Sequence, residues 1–283
     1  MNRPLSPTSH FVRHGVDPRP QRGRHAARFL FACLILSLAA LPAAARITLE
    51  KGSYLERVFR DGERLEFSLS WLGIVGGNAV MTVTSEGDQF RIHSLARSQG
   101  TLGRIYPVRD EITSVVNRAN FSTLTFQKDL NERGKSRSEL TVLDPKKKIV
   151  TRKGKQFPYE PPILDPLSTV FFVRTLDLSP GKRHRVTMIA DDEIYTLDAV
   201  VVKRETLNVE GTAFQTVLIE PKMVRGGVFG GDNRRLLIWF TDDERRVPIR
   251  IRSELEFGSI TATLRSSSLL EPKPATAANE ALE

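Results

Sequence analysis

The sequence predicts a mainly β fold: an antiparallel curved sheet, barrel or half-barrel with one central helix. Three observations indicate this. Apolar and polar residues alternate along many short segments, turn motifs separate those segments, and one segment has helical spacing. Alternation with a period of two is typical of strands that bury one face, which favours an antiparallel sheet over the all-apolar strands of a parallel one. A β-sandwich is the alternative arrangement of the same strands.

Residues 63–71 and 247–257 show the alternation most clearly. In each segment, large apolar side chains occupy every second position, and charged or small polar side chains lie between them. Turn signals such as Gly76-Gly77 and Glu210-Gly211 recur along the chain and separate roughly ten to twelve predicted strands. Such a long sheet is expected to curl or to be covered, because its apolar face must be buried.

A helix is predicted after Asp165. Aspartate is a favourable N-cap, and Pro166 then occupies the first helical position, where proline is well tolerated. Apolar residues follow at helical spacing until the Ser-Pro-Gly sequence at 179–181 ends the pattern. This central helix is expected to pack against the curved sheet or to plug it.

Residues 1–45 have the pattern of a secretory signal peptide. A basic flank precedes the apolar run 29–41, and small residues ending at Ala45 follow it as the expected cleavage site. The apolar run is shorter than the roughly 20 residues that a membrane-spanning helix needs, so no integral membrane segment is expected after cleavage. We therefore predict a periplasmic protein with one β-rich domain over 46–270 and a disordered tail over 271–283.

Removing the signal changes the composition. It holds six of the 42 Lys and Arg and one of the 33 Asp and Glu, so the remaining chain has a net charge of about +4. It also holds the single cysteine, Cys33, and three of the five histidines, which leaves His93 and His184. Nucleic-acid binding, thiol chemistry and cysteine metal ligands are therefore not expected, and no cofactor or metal site is predicted.

Three stretches resemble one known family. They are the Gly-Glu-x-Leu-x-Phe-x-Leu-x-Trp-x-Gly opening at 62–73, the Asp-Pro-Leu-Ser-Thr-Val-Phe-Phe-Val-Arg helix at 165–174, and the Leu-Ile-Trp-Phe-Thr-Asp-Asp-Glu-Arg-Arg-Val-Pro-Ile-Arg-Ile-Arg closing sequence at 237–252. This pattern is similar to that of the exported bacterial family called domain of unknown function 3108. The resemblance covers about residues 59–270 and implies a β-rich envelope protein of Gram-negative bacteria without an established activity.

The closing sequence and a glycine-rich loop are the main candidate ligand sites. Residues 239–246 place charged groups in one turn, although turn chemistry alone would also explain them. The loop 226–231 carries two apolar residues between glycines and would act as a lid if the sheet encloses a cavity. The candidate ligand-binding residues are Trp71, Val228, Phe229, Trp239, Asp242 and Arg246.

A basic run is the candidate contact to anionic lipid head groups or lipopolysaccharide phosphates. A solvated edge hairpin, whose lysines discourage aggregation between sheets, explains the same residues. They are Lys146, Lys147, Lys148 and Arg152.

The sequence favours a non-catalytic function. It has no Gly-x-Ser-x-Gly or His-Glu-x-x-His motif, and no catalytic residue is predicted. The leading hypothesis is binding of an apolar or amphipathic, lipid-like envelope molecule, and the alternative is a structural or assembly partner of another envelope component. A carboxylate-based hydrolase is the least favoured hypothesis. It would require Asp110 and Asp242 to face each other across a cleft as an acid pair.

Overall fold

The computed structural model describes residues 58–190, 192–224, 235–255 and 258–270. Within them, fourteen strands form one antiparallel sheet and two segments are helical, so the predicted mainly β fold is confirmed. The strands are β1 (Glu63–Trp71), β2 (Ile74–Glu86), β3 (Gln89–Ser98), β4 (Val108–Asn117), β5 (Thr123–Glu132), β6 (Lys135–Asp144), β7 (Ile149–Arg152), β8 (Lys155–Pro158), β9 (Arg183–Ala190), β10 (Glu193–Val209), β11 (Thr212–Met223), β12 (Arg235–Thr241), β13 (Pro248–Leu255) and β14 (Gly258–Ser267). The helices are α1 (Gly100–Ile105) and α2 (Pro166–Val173).

The sheet consists of two meanders joined in the middle. Strands β1 to β8 pair in sequence order, as do β9 to β14, and β14 pairs with β1. In that central pairing Phe67 lies opposite Leu264, and Leu69 lies opposite Ala262. A single continuous sheet rules out the sandwich alternative, and the strands outnumber the expected ten to twelve because short hairpins such as β7–β8 lack a clear alternation.

The predicted alternation corresponds to the two faces of the sheet. Along β1, Leu65 and Phe67 are buried on the concave side, whereas Glu66 and Ser68 are partly exposed on the other. Strands β4, β9 and β13 contribute further apolar side chains to the same core. The buried faces of distant strands therefore enclose one common interior.

Helix α2 fills that interior, and all eight of its residues are buried. The Asp165 side chain accepts hydrogen bonds from the backbone amides of Leu167 and Ser168, and the Ser168 hydroxyl accepts one from the Asp165 amide. This capping box satisfies amide groups that would otherwise lack partners at the start of the helix. The predicted N-cap is thus present, and the helix plugs the curved sheet.

Aromatic rings pack around α2. Adjacent ring centroids lie 5.2 to 6.3 Å apart, within the range of favourable aromatic pairs. The rings belong to residues from the chain preceding β1, from β3, from the β4–β5 connection and from α2, so the cluster joins four parts of the chain. They are Phe59, Phe90, Phe121, Phe171 and Phe172.

The two outer strands, β8 and β9, are not paired with each other, so the barrel is open along one seam. The segment leading into α2 lies there. The Leu164 amide donates to the Thr187 carbonyl at 3.0 Å, and the Ile163 carbonyl accepts from the Thr123 amide at 2.8 Å. Chain that is neither helix nor regular strand therefore fills the gap that the sheet leaves.

A buried ion pair links α2 to the first strand. The Arg174 guanidinium lies 2.6 Å from the Glu63 carboxylate, and both side chains are fully buried. The guanidinium also donates to the carbonyls of Val58 and Arg245, and it lies 4.9 Å from the centroid of the Phe59 ring. Its hydrogen bonds compensate in part for the loss of water around the charge.

We expect Glu63→Gln to lower the free energy of unfolding by roughly 3 to 5 kcal/mol, because it leaves the Arg174 charge buried without a counter-charge. The matched control is Glu66→Gln on the same strand, where the exposed pair with Arg64 should contribute less than about 1 kcal/mol. Urea unfolding followed by circular dichroism measures both. Equal, small effects of the two substitutions would contradict the structural role assigned to the buried pair.

Candidate ligand-binding site

One end of the barrel carries an apolar cleft. Strand directions bring the β1–β2 turn, α1 and the start of β14 together at this end, which we call the upper rim. The enclosed volume of the cleft is about 20 Å³, which is room for about one water molecule. It is therefore a surface depression and not a container. We call this depression the rim cleft. Its lining residues are Leu69, Ser70, Trp71, Gly76, Leu102, Tyr106 and Ile260.

Glycine 76 allows α1 to form one wall of the cleft. A Cβ atom at this position would lie 2.3 Å from Cδ2 of Leu102, which is far inside contact distance. The Gln99 amide also donates to the Gly76 carbonyl at 2.7 Å, directly before the helix begins. The prediction of a turn at Gly76-Gly77 is wrong, because both glycines lie within strand β2. Gly76 leaves room for Leu102 of α1 to pack closely against the strand.

Four large apolar side chains beside the cleft face solvent. We call them the rim patch: Leu72 is 59% exposed, Ile74 72%, Val75 68% and Ile105 73%. Three of them lie in or next to the two-residue β1–β2 turn, where polar residues and glycine are the usual choice. Large apolar side chains that remain exposed beside a cleft are typical of interaction sites.

Leu72 also has an unusual backbone conformation. Its φ is 50° and that of Gly73 is 84°, so both central residues of the turn are left-handed, as in type I′ hairpin turns. Glycine and asparagine adopt this conformation readily, whereas a leucine costs about 1 kcal/mol. Part of the side chain packs over Gly258, but most of it remains exposed, so burial does not explain the choice of leucine.

Two arginines flank the rim patch. Arg104 is exposed on α1, and Arg133 is exposed in the β5–β6 turn with its guanidinium carbon 5.5 Å from the centroid of the Tyr106 ring. Neither forms an ion pair with another residue of the described part of the chain. The upper rim thus combines apolar side chains, two aromatic residues of the cleft and positive charge.

The structure does not bring the sequence-predicted ligand residues together. Trp71 lines the rim cleft. Trp239 lies on the convex face in a small cluster with Leu218 and Leu237, and its indole nitrogen donates to Glu205 at 2.8 Å. Val228 and Phe229 lie outside the described residues.

Asp242 and Arg246 belong to the opposite end of the barrel. Asp242 pairs with Arg204 at 2.7 Å, and an Arg246 nitrogen donates to the Arg174 carbonyl at 2.7 Å. The Asp243 carboxylate stabilises this turn by accepting hydrogen bonds from the backbone amides of Arg245 and Arg246. These contacts fix the turn and the end of α2.

The basic run separates into two environments. Lys146, Lys147 and Lys148 are exposed in the β6–β7 turn at the lower end, where Lys148 pairs with Glu160 at 2.9 Å. Arg152, by contrast, is buried, so its guanidinium is not part of that surface.

Arg152 belongs to a charge cluster that the sequence did not reveal. Its guanidinium pairs with Glu139 of β6 and with Asp192 between β9 and β10, and it therefore bridges the open seam. Burial alone would raise the pKa of Glu139, but hydrogen bonds from Lys153 and Arg152 and the charge of Lys128 hold it well below its usual range. Only the pairing of β5, β6 and β7 brings these charges together.

The proposed acid pair is not formed. Asp110 lies near the upper end of β4, whereas Asp242 follows β12 at the lower end. Glu111 projects to the other face, where it contacts His93 at 3.0 Å. The described residues also contain no group of three or more His, Cys, Asp or Glu placed to hold a metal ion.

Asp110 has an acidic neighbour that the sequence analysis missed. Its side chain is 4% exposed, and burial together with the charge of Glu132 raises its pKa to about 7. The Asn131 amide donates to Oδ1 at 3.2 Å and opposes this shift, while Oδ2 is buried without a hydrogen-bond partner. The pairing of Glu132 with the start of β4 brings the two acids together.

Asp110 should make stability depend on pH. In the folded protein the Asp110 carboxyl group stays protonated up to about pH 7, whereas an aspartate in the unfolded chain loses its proton near pH 4. The free energy of unfolding should therefore fall as pH rises between about 4 and 7. Asp110→Asn should reduce that slope and stabilise the protein at pH 8 by roughly 2 kcal/mol. Urea unfolding at several pH values measures the slope of stability against pH. Asp129→Asn is the control, because Asp129 is an exposed aspartate on β5. An unchanged slope in Asp110→Asn would refute the assignment.

Comparison with solved structures gives several matches of different strength. A beta-barrel-like protein of domain of unknown function DUF1849 from Brucella abortus has a TM-score of 0.54 and 10% sequence identity, covering 73% of this chain and 97% of that one. A DUF1089 family protein from Pseudomonas aeruginosa has a TM-score of 0.37 at 12% identity, covering 60% and 87%. The hypothetical protein CT021 from Chlamydia trachomatis has a TM-score of 0.36 at 12% identity, covering 77% and 93%. Only the first likeness is strong enough to support the barrel-like fold, and it says nothing about activity.

The family is established by sequence. No curated protein matches the chain. The family model described as protein of unknown function (DUF3108) matches residues 66–265, which include most of the opening stretch and all of the central and closing stretches quoted above. The resemblance inferred from those stretches is confirmed, and the chain belongs to the DUF3108 family.

Proposed function

We propose that this chain is an exported envelope protein that binds an amphipathic, lipid-like molecule at the upper rim without chemically changing it. The observation that carries the proposal is the apolar rim cleft bordered by exposed apolar side chains. Leu102 and Trp71 are among its lining residues, and Ile74 and Ile105 are exposed apolar side chains beside it. An acyl chain laid across this surface would bury side chains that now face water.

The packing of the interior favours binding at the end of the barrel over binding inside it. An enclosed acyl chain requires an empty, continuous apolar cavity, but α2 and the aromatic cluster occupy the middle of the barrel. The ligand would therefore contact the barrel at its end. This differs from the mode expected from the sequence, in which the curved sheet encloses the ligand.

The polar part of the ligand would face the flanking arginines. A phosphate or carboxylate head group beside Arg104 or Arg133 would find a positive charge that no described acidic side chain neutralises. Tyr106 lies between the cleft and Arg133 and would contact both parts of an amphipathic molecule. The site thus supports an anionic or zwitterionic lipid over a purely apolar ligand.

The chain has two tryptophans, so Trp239→Phe leaves Trp71 as the only tryptophan reporter. We expect monomeric lysophosphatidylcholine with a brominated acyl chain to quench Trp71 fluorescence saturably, because bromine would come close to the indole. Adding Leu102→Asp should weaken this binding by roughly tenfold or more, since it places a charge in the cleft.

Leu140→Asp is the matched control, because Leu140 is also exposed and apolar but lies on the outer face of β6. Circular dichroism verifies that each variant folds. Lipid extracted from the purified protein and identified by mass spectrometry provides a second measurement. Absence of both quenching and copurified lipid would overturn the proposal, and retention of a specific protein after crosslinking would favour the assembly-partner alternative.

The sequence pattern of residues 1–45 supports export, followed by a domain over 46–270. Neither helix of the described part is long and apolar enough to cross a membrane.

Leu36→Arg interrupts the apolar run and should block export, because the run must remain apolar to act as a signal. Cell fractionation should then find the variant in the cytoplasm, while Leu36→Ile is exported normally. N-terminal sequencing of the exported protein should begin at Arg46, and an intact Met1 in the exported protein would contradict cleavage near Ala45.

A further inference from the structure

The rim patch is an exposed apolar surface that lies beside the rim cleft. Leu72 in the β1–β2 turn and the first two residues of β2, Ile74 and Val75, lie at the end of a long hairpin, and Ile105 lies at the end of the neighbouring α1. A single bound lipid would cover the cleft but leave apolar side chains at the tip of the hairpin. A broader apolar partner is needed to cover all four.

The residue types at the upper rim match those of proteins that lie on a bilayer surface. Such proteins insert aliphatic side chains, place tryptophan or tyrosine at the level of the head groups, and flank both with positive charge. Here the four aliphatic residues are largely exposed, Trp71 and Tyr106 lie in the adjoining cleft, and Arg104 and Arg133 flank them.

The charges favour a bilayer over an apolar protein surface. Arg104 and Arg133 are exposed, and neither pairs with an acidic residue of the described chain. Buried in a protein interface, each would need acceptors in a fixed geometry, such as a carboxylate or several backbone carbonyls. Phosphates of an anionic bilayer provide many equivalent partners without a fixed geometry.

We propose that the upper rim docks on an anionic membrane surface, with the rim patch inserted among the acyl chains and Arg104 and Arg133 at the phosphates. The inference rests on the proposed function, because docking would place the rim cleft where lipid molecules are available. The partner is a phospholipid bilayer that presents negatively charged head groups. The opposite end of the barrel, with Lys146, Lys147 and Lys148, faces away from it.

Cosedimentation with vesicles tests the docking. Purified protein is mixed with phosphatidylcholine vesicles that contain or lack phosphatidylglycerol. We expect stronger binding to the anionic vesicles, and a loss of roughly tenfold or more in Ile74→Ser/Val75→Thr, because two inserted side chains become polar. Both side chains are largely exposed, so the melting temperature should be unchanged.

Charge variants identify the docking end. Arg104→Gln/Arg133→Gln should lose most of the preference for phosphatidylglycerol, by roughly fivefold for each arginine. The matched control removes charge at the lower end with Lys146→Gln/Lys147→Gln, which should bind as the unmodified protein does. Loss of binding in the lysine variant alone would overturn the proposed orientation.

The two proposals fail in different ways. Quenching of Trp71 by monomeric lysophosphatidylcholine, combined with no vesicle binding, would overturn membrane docking and leave lipid binding intact. Vesicle binding that does not change in the rim-patch variant would also overturn docking through this surface. Failure of both monomeric lipid and vesicles to bind would overturn the proposed function together with the inference.

Discussion

The complete burial of α2 is the constraint on which the rest of the structure depends. A buried helix leaves amide groups at its start and carbonyl groups at its end that water cannot reach. Asp165 satisfies the first set, and it also accepts hydrogen bonds from the hydroxyls of Ser114 at 2.5 Å and Thr123 at 2.7 Å. The N-terminal end of the helix is therefore tied to β4 and β5. Burial raises the pKa of Asp165, and these same hydrogen bonds oppose that shift.

The closing sequence of the family serves the other end of the helix. Arg246 donates to the carbonyls of Arg174 and Leu176, and the Arg245 carbonyl accepts from the Arg174 side chain. Arg174 in turn pairs with Glu63 at the start of β1. The opening, central and closing stretches that identify the family are thus one connected polar network around a buried helix. Charges that looked like a ligand site in the sequence stabilise the fold.

The upper rim contrasts with this network. Its apolar side chains are exposed, its turn holds a leucine in a left-handed conformation, and two arginines lack described acidic partners. None of these features is required by the packing of the barrel, and the exposed residues lower solubility without adding to the core. Helix α2 is buried with its two ends hydrogen-bonded, whereas the apolar side chains and arginines of the rim face solvent, and the functional proposals therefore concern the rim.

Period-two alternation, an N-cap and a proline are local signals, so the mainly β fold and the capped helix could be predicted from the sequence, and three local motifs indicated the family. Helix α1 was not predicted, because its six residues are too few to show helical spacing. The pairing of β14 with β1, the position of Asp110 beside Glu132 and the bridging of the seam by Arg152 are visible in the folded protein alone. These contacts join residues far apart along the chain, and no local pattern specifies which distant strands become neighbours. The rim cleft could not be predicted for the same reason. The sequence indicates Trp71 as a strand residue and a candidate ligand contact, but its position in the cleft depends on α1 and β14 packing beside it.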